Sequence, residues 1–249
     1  MTALKKRYYQ NIDEEVYSAT LDSGLSLSII KKKGFVEKVA FLSTNFGSLD
    51  NHFYLDGELK NYPAGIAHFL EHKLFEDEQG RDVTLDFVKF GADVNAFTTL
   101  DRTTYYFSTL DHFEESLELL LQFTSKFTSS EASVNHEKNI IEQEINMYQD
   151  DPDYRVYLGC LRSLYPNTIL SEDIAGSLDS IEKITVKDLK DNFDSFYRPE
   201  NCHLVLVGDF DVDEIYSVVK ESQSKLTSKQ IFVEKEKSPI KANIQKLDS

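Results

Sequence analysis

The sequence has little of what marks a specialised environment. Cysteine occurs only as Cys160 and Cys202 in 249 residues, far apart and not in a CxxC pair. That is no disulfide framework, and it suits a reducing compartment. Long apolar runs are missing: none approaches the roughly 18 residues of a membrane span. The basic stretch "MTALKKRYYQ" leads into no apolar segment, so a secretory signal is not expected. There is no Gly/Pro/Ser-rich linker in the middle, no low-complexity tract and no internal repeat. Basic residues are in deficit, 27 Lys and Arg against 43 Asp and Glu. The net charge of −16 argues against nucleic acid or an anionic membrane as partner. These absences point to a soluble cytoplasmic protein. With 41% hydrophobic residues, the chain can bury one good-sized core and part of a second.

What is present reads as strands, then helices, then a strand and a helix again. "VYSATL" and "LSLSII" are predicted strands joined at "DSG", and "KVAFLSTNFGS" is a third. "LDNHFYLDGELKNYPAG" reads as a loop leading into a short apolar helix. "TLDFVKFG" fits another short helix closed by Gly91. "ADVNAFTTL" and "RTTYYFSTL" suggest a hairpin around Asp101. "HFEESLELLLQFTSKF" is amphipathic, and a long helix begins near Ser130. Pro152 sits in the first turn of the helix after it, where its missing N–H is harmless. Thr185 and Asp188 form a capping pattern, "CHLVLVGDF" is a strand, and "DVDEIYSVVKESQSKL" is a final helix. "KQIFVEK" is one more candidate strand in a Lys/Glu-rich tail. The expected class is α+β, a mostly antiparallel sheet with helices packed on one face.

The short helix "GIAHFLEHKLFED" carries chemistry that its apolar surroundings do not need. At about 100° per residue, His68 and His72 point within about 40° of each other, and Glu71 lies about 60° to the other side of His68. Ile66, Ala67, Phe69, Leu70, Leu74 and Phe75 cover most of the remaining circumference, as in a buried helix. Buried imidazoles and carboxylates need partners. HxxEH is the inverted zinc motif, whose two imidazoles four residues apart can reach one ion at about 2.0–2.1 Å. A pair of satisfied core histidines is the competing account. Catalytic zinc takes three protein ligands, so a third must come from elsewhere. Downstream, Glu137, Ile141, Glu144 and Tyr148 follow 4,3,4 spacing and form one helical stripe. Read alone, Glu144 would also suit a solvated helix face. His52, His112, His136 and His203 read as surface or core residues. The acids of "GDFDVDE" lack the ligand spacing of a calcium loop.

"HFLEH", the downstream "EKNIIEQE", "DVNAFTTLDRTTYYF", "DDPDYRVY" and "RPENCHLVLVGDF" together resemble the insulinase/pitrilysin family of zinc metallopeptidases, closest to bacterial processing-type members. The resemblance covers about residues 15 to 225. It implies one zinc per chain held between two helices by His68, His72 and Glu144, with Glu71 as catalytic base. It implies that Glu137 supports the ligands by hydrogen bonding. It also turns the hairpin at "DVNAF" into an edge strand that pairs with an extended peptide, with Asn95 and Ala96 facing the substrate. The implied function is a zinc endopeptidase acting on peptides or small unfolded polypeptides. The alternative is a non-catalytic partner subunit serving binding or assembly. A structural metal protein would need a fourth ligand, and no Cys or His offers itself. Members of the family usually hold two such units facing across a chamber. The expectation is a catalytic domain over residues 1–226 and a linker over 227–249 toward a second family-like domain or companion subunit.

Overall fold

The computed structural model describes residues 4–224 and 232–235. Strands β1 (Lys5–Tyr9), β2 (Glu14–Thr20), β3 (Ser26–Lys31) and β4 (Lys38–Thr44) come first. A small hairpin, β5 (His52–Leu55) and β6 (Glu58–Asn61), leads into helices α1 (Ile66–Leu74) and α2 (Thr84–Lys89). The hairpin of β7 (Asp93–Thr98) and β8 (Thr103–Thr109) follows, turning where the sequence expects it. Then come α3 (Phe113–Phe123), α4 (Glu131–Asp150), α5 (Pro152–Leu164), α6 (Leu178–Glu182) and α7 (Val186–Phe196). Strand β9 (Cys202–Gly208), α8 (Val212–Gln223) and β10 (Val233–Lys235) close the described chain.

The main sheet runs β1-β2-β3-β9-β4-β8-β7. Every neighbouring pair is antiparallel except β3 and β9, which run parallel. Strand β9 enters the middle of the sheet after five helices have formed the crossover. A parallel neighbour requires a long connection of that kind. Its inward residues Leu204 and Leu206 are fully buried, level with Leu27 and Ile29 of β3 and Ala40 and Leu42 of β4. This row, with Tyr105 and Phe107 of β8, forms the floor of one core on which the helices lie. The architecture is the expected α+β one.

One departure is local, and the candidate strand of the tail is found. The stretch expected as a loop contains β5 and β6, closed by Asp56 and Gly57, both with positive φ (50° and 84°). That is the backbone a two-residue Asp-Gly hairpin turn needs. Strand β10 pairs with β5, so part of the Lys/Glu-rich tail returns to the body. Only residues 232–235 of the expected linker are described. Phe196 joins the two sheets: it stacks on Phe46 at 4.4 Å and meets Phe53 of β5 edge-on at 4.7 Å.

Candidate metal centre

Helix α1 enters the core through Gly65, which has φ +90°. A Cβ there would stand 2.5 Å from the backbone oxygen of Ala175. Glycine is needed both for the left-handed turn and for that close approach. Beyond it, Ile66, Phe69 and Leu70 are almost fully buried and fix the rotation of the helix. His68 and Glu71 are carried inside with them, at 9% and 7% exposure.

Helix α4 supplies the opposite wall. Its Ser130 cap accepts from the Ser133 N–H, and its buried stripe is Val134, Ile141 and Ile145. Glu137 and Glu144 lie four residues before and three after Ile141, so docking of this stripe brings both carboxylates toward α1. His68 Nε2 and His72 Nε2 are 3.3 Å apart. The Glu144 oxygens lie 3.6 Å from His68 Nε2 and 3.4 Å from His72 Nε2. Ligands at about 2.0–2.1 Å in a tetrahedron are separated by roughly 3.3–3.4 Å. One donor atom from each residue falls within 4.8 Å of the other two, and no other such His/Cys/Asp/Glu group occurs among the described residues. Two imidazoles and a carboxylate are a donor set suited to zinc, and the spacing fits.

The neighbouring groups divide into two kinds. Glu137 Oε1 receives His72 Nδ1 at 3.0 Å, on the ring edge away from Glu144. Such a contact fixes an imidazole with its other nitrogen free to bind. His68 Nδ1, by contrast, is buried with no partner among the described residues. Glu71 stands apart from the donor triangle. Its Oε2 accepts the Thr98 hydroxyl at 2.5 Å, and Thr98 in turn contacts Thr103 at 3.2 Å. None of His52, His112, His136 and His203 joins the donor group.

The electrostatics separate the carboxylates. Hydrogen bonding from His68 and His72 holds Glu144 far below the usual carboxylate range. Burial raises Glu137 most strongly of any single cause, but the His72 hydrogen bond together with the charges of His72, Lys73 and His136 outweighs it, and the net shift is downward. For His72, burial opposes the charged ring, yet Glu137 and Glu144 bring its pKa up to about 9. Burial dominates at Glu71 and pushes its pKa up, despite the opposing influence of His68 and Thr98. Two carboxylates with opposite tendencies in one site suit different tasks, one as a ligand and one as a proton carrier.

Strand β7 is an edge strand among the described residues, pairing with β8 alone. The Ala96 N–H donates to Asn95 Oδ1 at 2.8 Å, so it points off the free edge rather than toward β8. Asn95 also borders an open cavity of about 450 Å³ shared with Glu71, His72, Glu76, Glu137 and Ile140. The residues singled out from the sequence therefore gather at one place. Thr98, Lys73, Glu76 and Ser133 are the contributors that spacing did not flag. Thr98 alone had a readable signal, since it lies two residues beyond Ala96 in one strand and so on the same face.

Comparison with known proteins places the chain in a family. Residues 58–177 match the insulinase family, peptidase family M16, and residues 183–248 match the peptidase M16 inactive domain. The chain belongs to the insulinase (M16) family. It is 43% identical over 224 residues to the Bacillus subtilis protein named uncharacterized zinc protease YmfH, covering 89% of this chain and 52% of that protein. A crystal structure of an M16-like peptidase from Alicyclobacillus acidocaldarius matches with a TM-score of 0.85 at 39% identity, over 89% of this chain and 52% of that one. The periplasmic protease PqqL of Escherichia coli matches with a TM-score of 0.76 at 26% identity, over 92% of this chain and 26% of that one. The chain thus spans about half the length of YmfH and of the Alicyclobacillus protein.

Proposed function

We propose that this M16 chain is the zinc-binding catalytic unit of an endopeptidase that hydrolyses peptides or small unfolded polypeptides. The observation that carries the reading is the convergence of His68, His72 and Glu144, with Glu71 beside them but outside the triangle. When bound, zinc supplies a Lewis acid that brings the pKa of water toward 7 and polarises a peptide carbonyl. Glu71, anchored at Oε2 by Thr98, keeps Oε1 for the proton of the attacking water. It returns that proton to the departing amine as the C–N bond breaks. Glu137 orients His72 throughout.

The free edge of β7 offers the substrate a strand to pair with, which would hold it extended past Glu71. Asn95 and Ala96 are the positions assigned to that contact. Residues 1–226 form the catalytic unit in this proposal, and the following segment leads toward a second family-like domain or a companion subunit. The greater length of the relatives supports that second unit. Two free thiols support a reducing cytoplasm as the compartment. A non-catalytic partner subunit would share the fold, but it has no use for all four groups of the centre.

Zinc analysis of the purified protein tests the reading. One zinc per chain is expected in the wild type and none in a His68→Ala/His72→Ala variant. Equal zinc in both refutes it.

A further inference from the structure

Lys73 is the residue that the proposed chemistry leaves unexplained. It follows His72 directly on α1, yet its side chain is 1% exposed, so its charge is inside the protein. A lysine is almost never buried this fully without partners. The partners are specific. Its Nζ pairs with Glu76 Oε2 and donates to Ser133 Oγ at 2.5 Å, while the Ser133 hydroxyl also reaches Glu76. Glu137 Oε2 lies 3.7 Å from the same Nζ. That is too long for a hydrogen bond but close for opposite charges away from water.

Glu137 is therefore gripped at both oxygens by consecutive residues of α1, His72 at Oε1 and Lys73 at Oε2. Removing the second grip leaves the carboxylate able to rotate away from the His72 ring or toward the donor triangle. Ser133 belongs to the first turn of α4, so the ammonium also ties the end of α1 to the start of the helix that carries Glu137 and Glu144. His68 offers no equivalent hold, since its Nδ1 is unpartnered among the described residues. The orientation of the pair of imidazoles thus depends on the His72 side.

We propose that Lys73 is a positioning residue for the metal centre, fixing Glu137 against His72 and setting the spacing between the two ligand-bearing helices. The inference rests on the zinc reading above. It deepens that reading by placing a buried cation behind a ligand, where it acts through Glu137 and touches neither metal nor substrate.

The test is zinc affinity measured by chelator competition on wild type, Lys73→Met, Glu137→Gln and the double variant. Methionine keeps the length and apolar stem without the charge. Lys73→Met is expected to weaken zinc binding about 10–100-fold, the range for loss of a supporting partner. The double variant should lose no more than Glu137→Gln alone, because Lys73 acts through that carboxylate. A shifted His72 ring N–H resonance in zinc-loaded Lys73→Met is the matching spectroscopic sign. Should Lys73→Met fail to fold, Ser133→Ala removes one support of the ammonium and should weaken zinc severalfold. Unchanged zinc affinity in the folded variants, or losses that simply add in the double variant, would make Lys73 a packing residue and overturn the proposal. Failure of the wild type to bind zinc would instead overturn the functional reading itself.

Discussion

Glu71→Gln is the substitution that most cleanly separates chemistry from metal binding. Glutamine has nearly the same shape, and its Oε1 can still accept the Thr98 hydroxyl now held at 2.5 Å. The atom that changes is the one turned toward the site, where an amide nitrogen replaces a proton acceptor. Loss of general-base help is worth about 10²–10⁴-fold in rate, or ~2.7–5.5 kcal/mol of barrier. The donor triangle does not include Glu71, so zinc stoichiometry should remain at one per chain. Stability moves the other way. Burial raises the Glu71 pKa, so its contribution to folding is fully present below the unfolded carboxyl pKa and is lost as pH rises through the folded value. As pH rises toward and through that raised value, the metal-free wild type loses stability that the uncharged variant keeps. The metal-free variant should melt no lower than wild type at pH 7, and any advantage should shrink toward pH 4. The assay pairs zinc content with peptide turnover on the same preparation, in an assembly that includes the second unit. Turnover within threefold of wild type with zinc retained would refute the assignment of the base and make Glu137 the next candidate. Loss of zinc would show that Glu71 supports the metal after all.

The isolated chain should bind zinc yet cleave peptides far more slowly than the same chain with its continuation or companion subunit; equal turnover would show that one unit suffices. Zinc at 1,000 times its Kd should stabilise the chain by about 4 kcal/mol, read as a chelator-reversible shift in Tm that His68→Ala/His72→Ala abolishes. Phe46→Ala removes a fully buried ring that stacks on Phe196, and should cost about 3–5 kcal/mol in denaturant unfolding without changing the donor residues. Thiol labelling at pH 8 should modify exposed Cys160 readily, while Cys202, whose pKa burial pushes up to about 12, should react only after denaturation.

The parts of the fold legible in the sequence are those fixed by local signals. Ser130 caps α4 and Pro152 starts α5 as their positions suggest, and the Thr185–Asp188 pattern forms a reciprocal capping box. The pair His68 and His72 was legible for the same reason, since HxxEH is a spacing within one helix, whereas the choice of Glu144 as third donor came from the family resemblance, because its stripe alone equally suits a solvated helix face. What escaped is of two sorts. The β5–β6 hairpin had a readable Asp-Gly turn, but its strands alternate weakly, with Glu58, Leu59 and Asn61 all exposed. Strand β1 is exposed along its whole length and gave no alternation to read. The other sort is non-local. That β9 slots between β3 and β4 depends on a crossover that no pattern within "CHLVLVGDF" encodes. Lys73 in sequence is only a basic residue in the last turn of a helix, a position that ordinarily reaches water. Its burial becomes visible only once α4 lies across it.

The proposed metal and substrate sites are built by different means in this unit. Each of the three donors is fixed by the chain's own packing: the close approach at Gly65 seats α1, Ile141 seats α4, and the Glu137 contact turns His72. The substrate side has no comparable enclosure. Strand β7 presents one free edge, the cavity beside Glu71 is open, and the Ala96 N–H is provisionally satisfied by the neighbouring Asn95 side chain. A peptide pairing there must first displace that side chain, exchanging one hydrogen bond for another at little net gain. Edge pairing alone is then a weak hold, and water retains access to Glu71, where it would screen the charges that the proposed hydrolysis develops. Affinity for the extended chain has to come from additional contacts on the open side. In the proposed reading that wall is supplied by a second unit, a proposal that the half-length overlap with YmfH supports. Substitutions at His68, His72 or Glu144 should therefore abolish metal binding whether or not that unit is present, whereas changes at Asn95 should alter turnover only in the closed assembly.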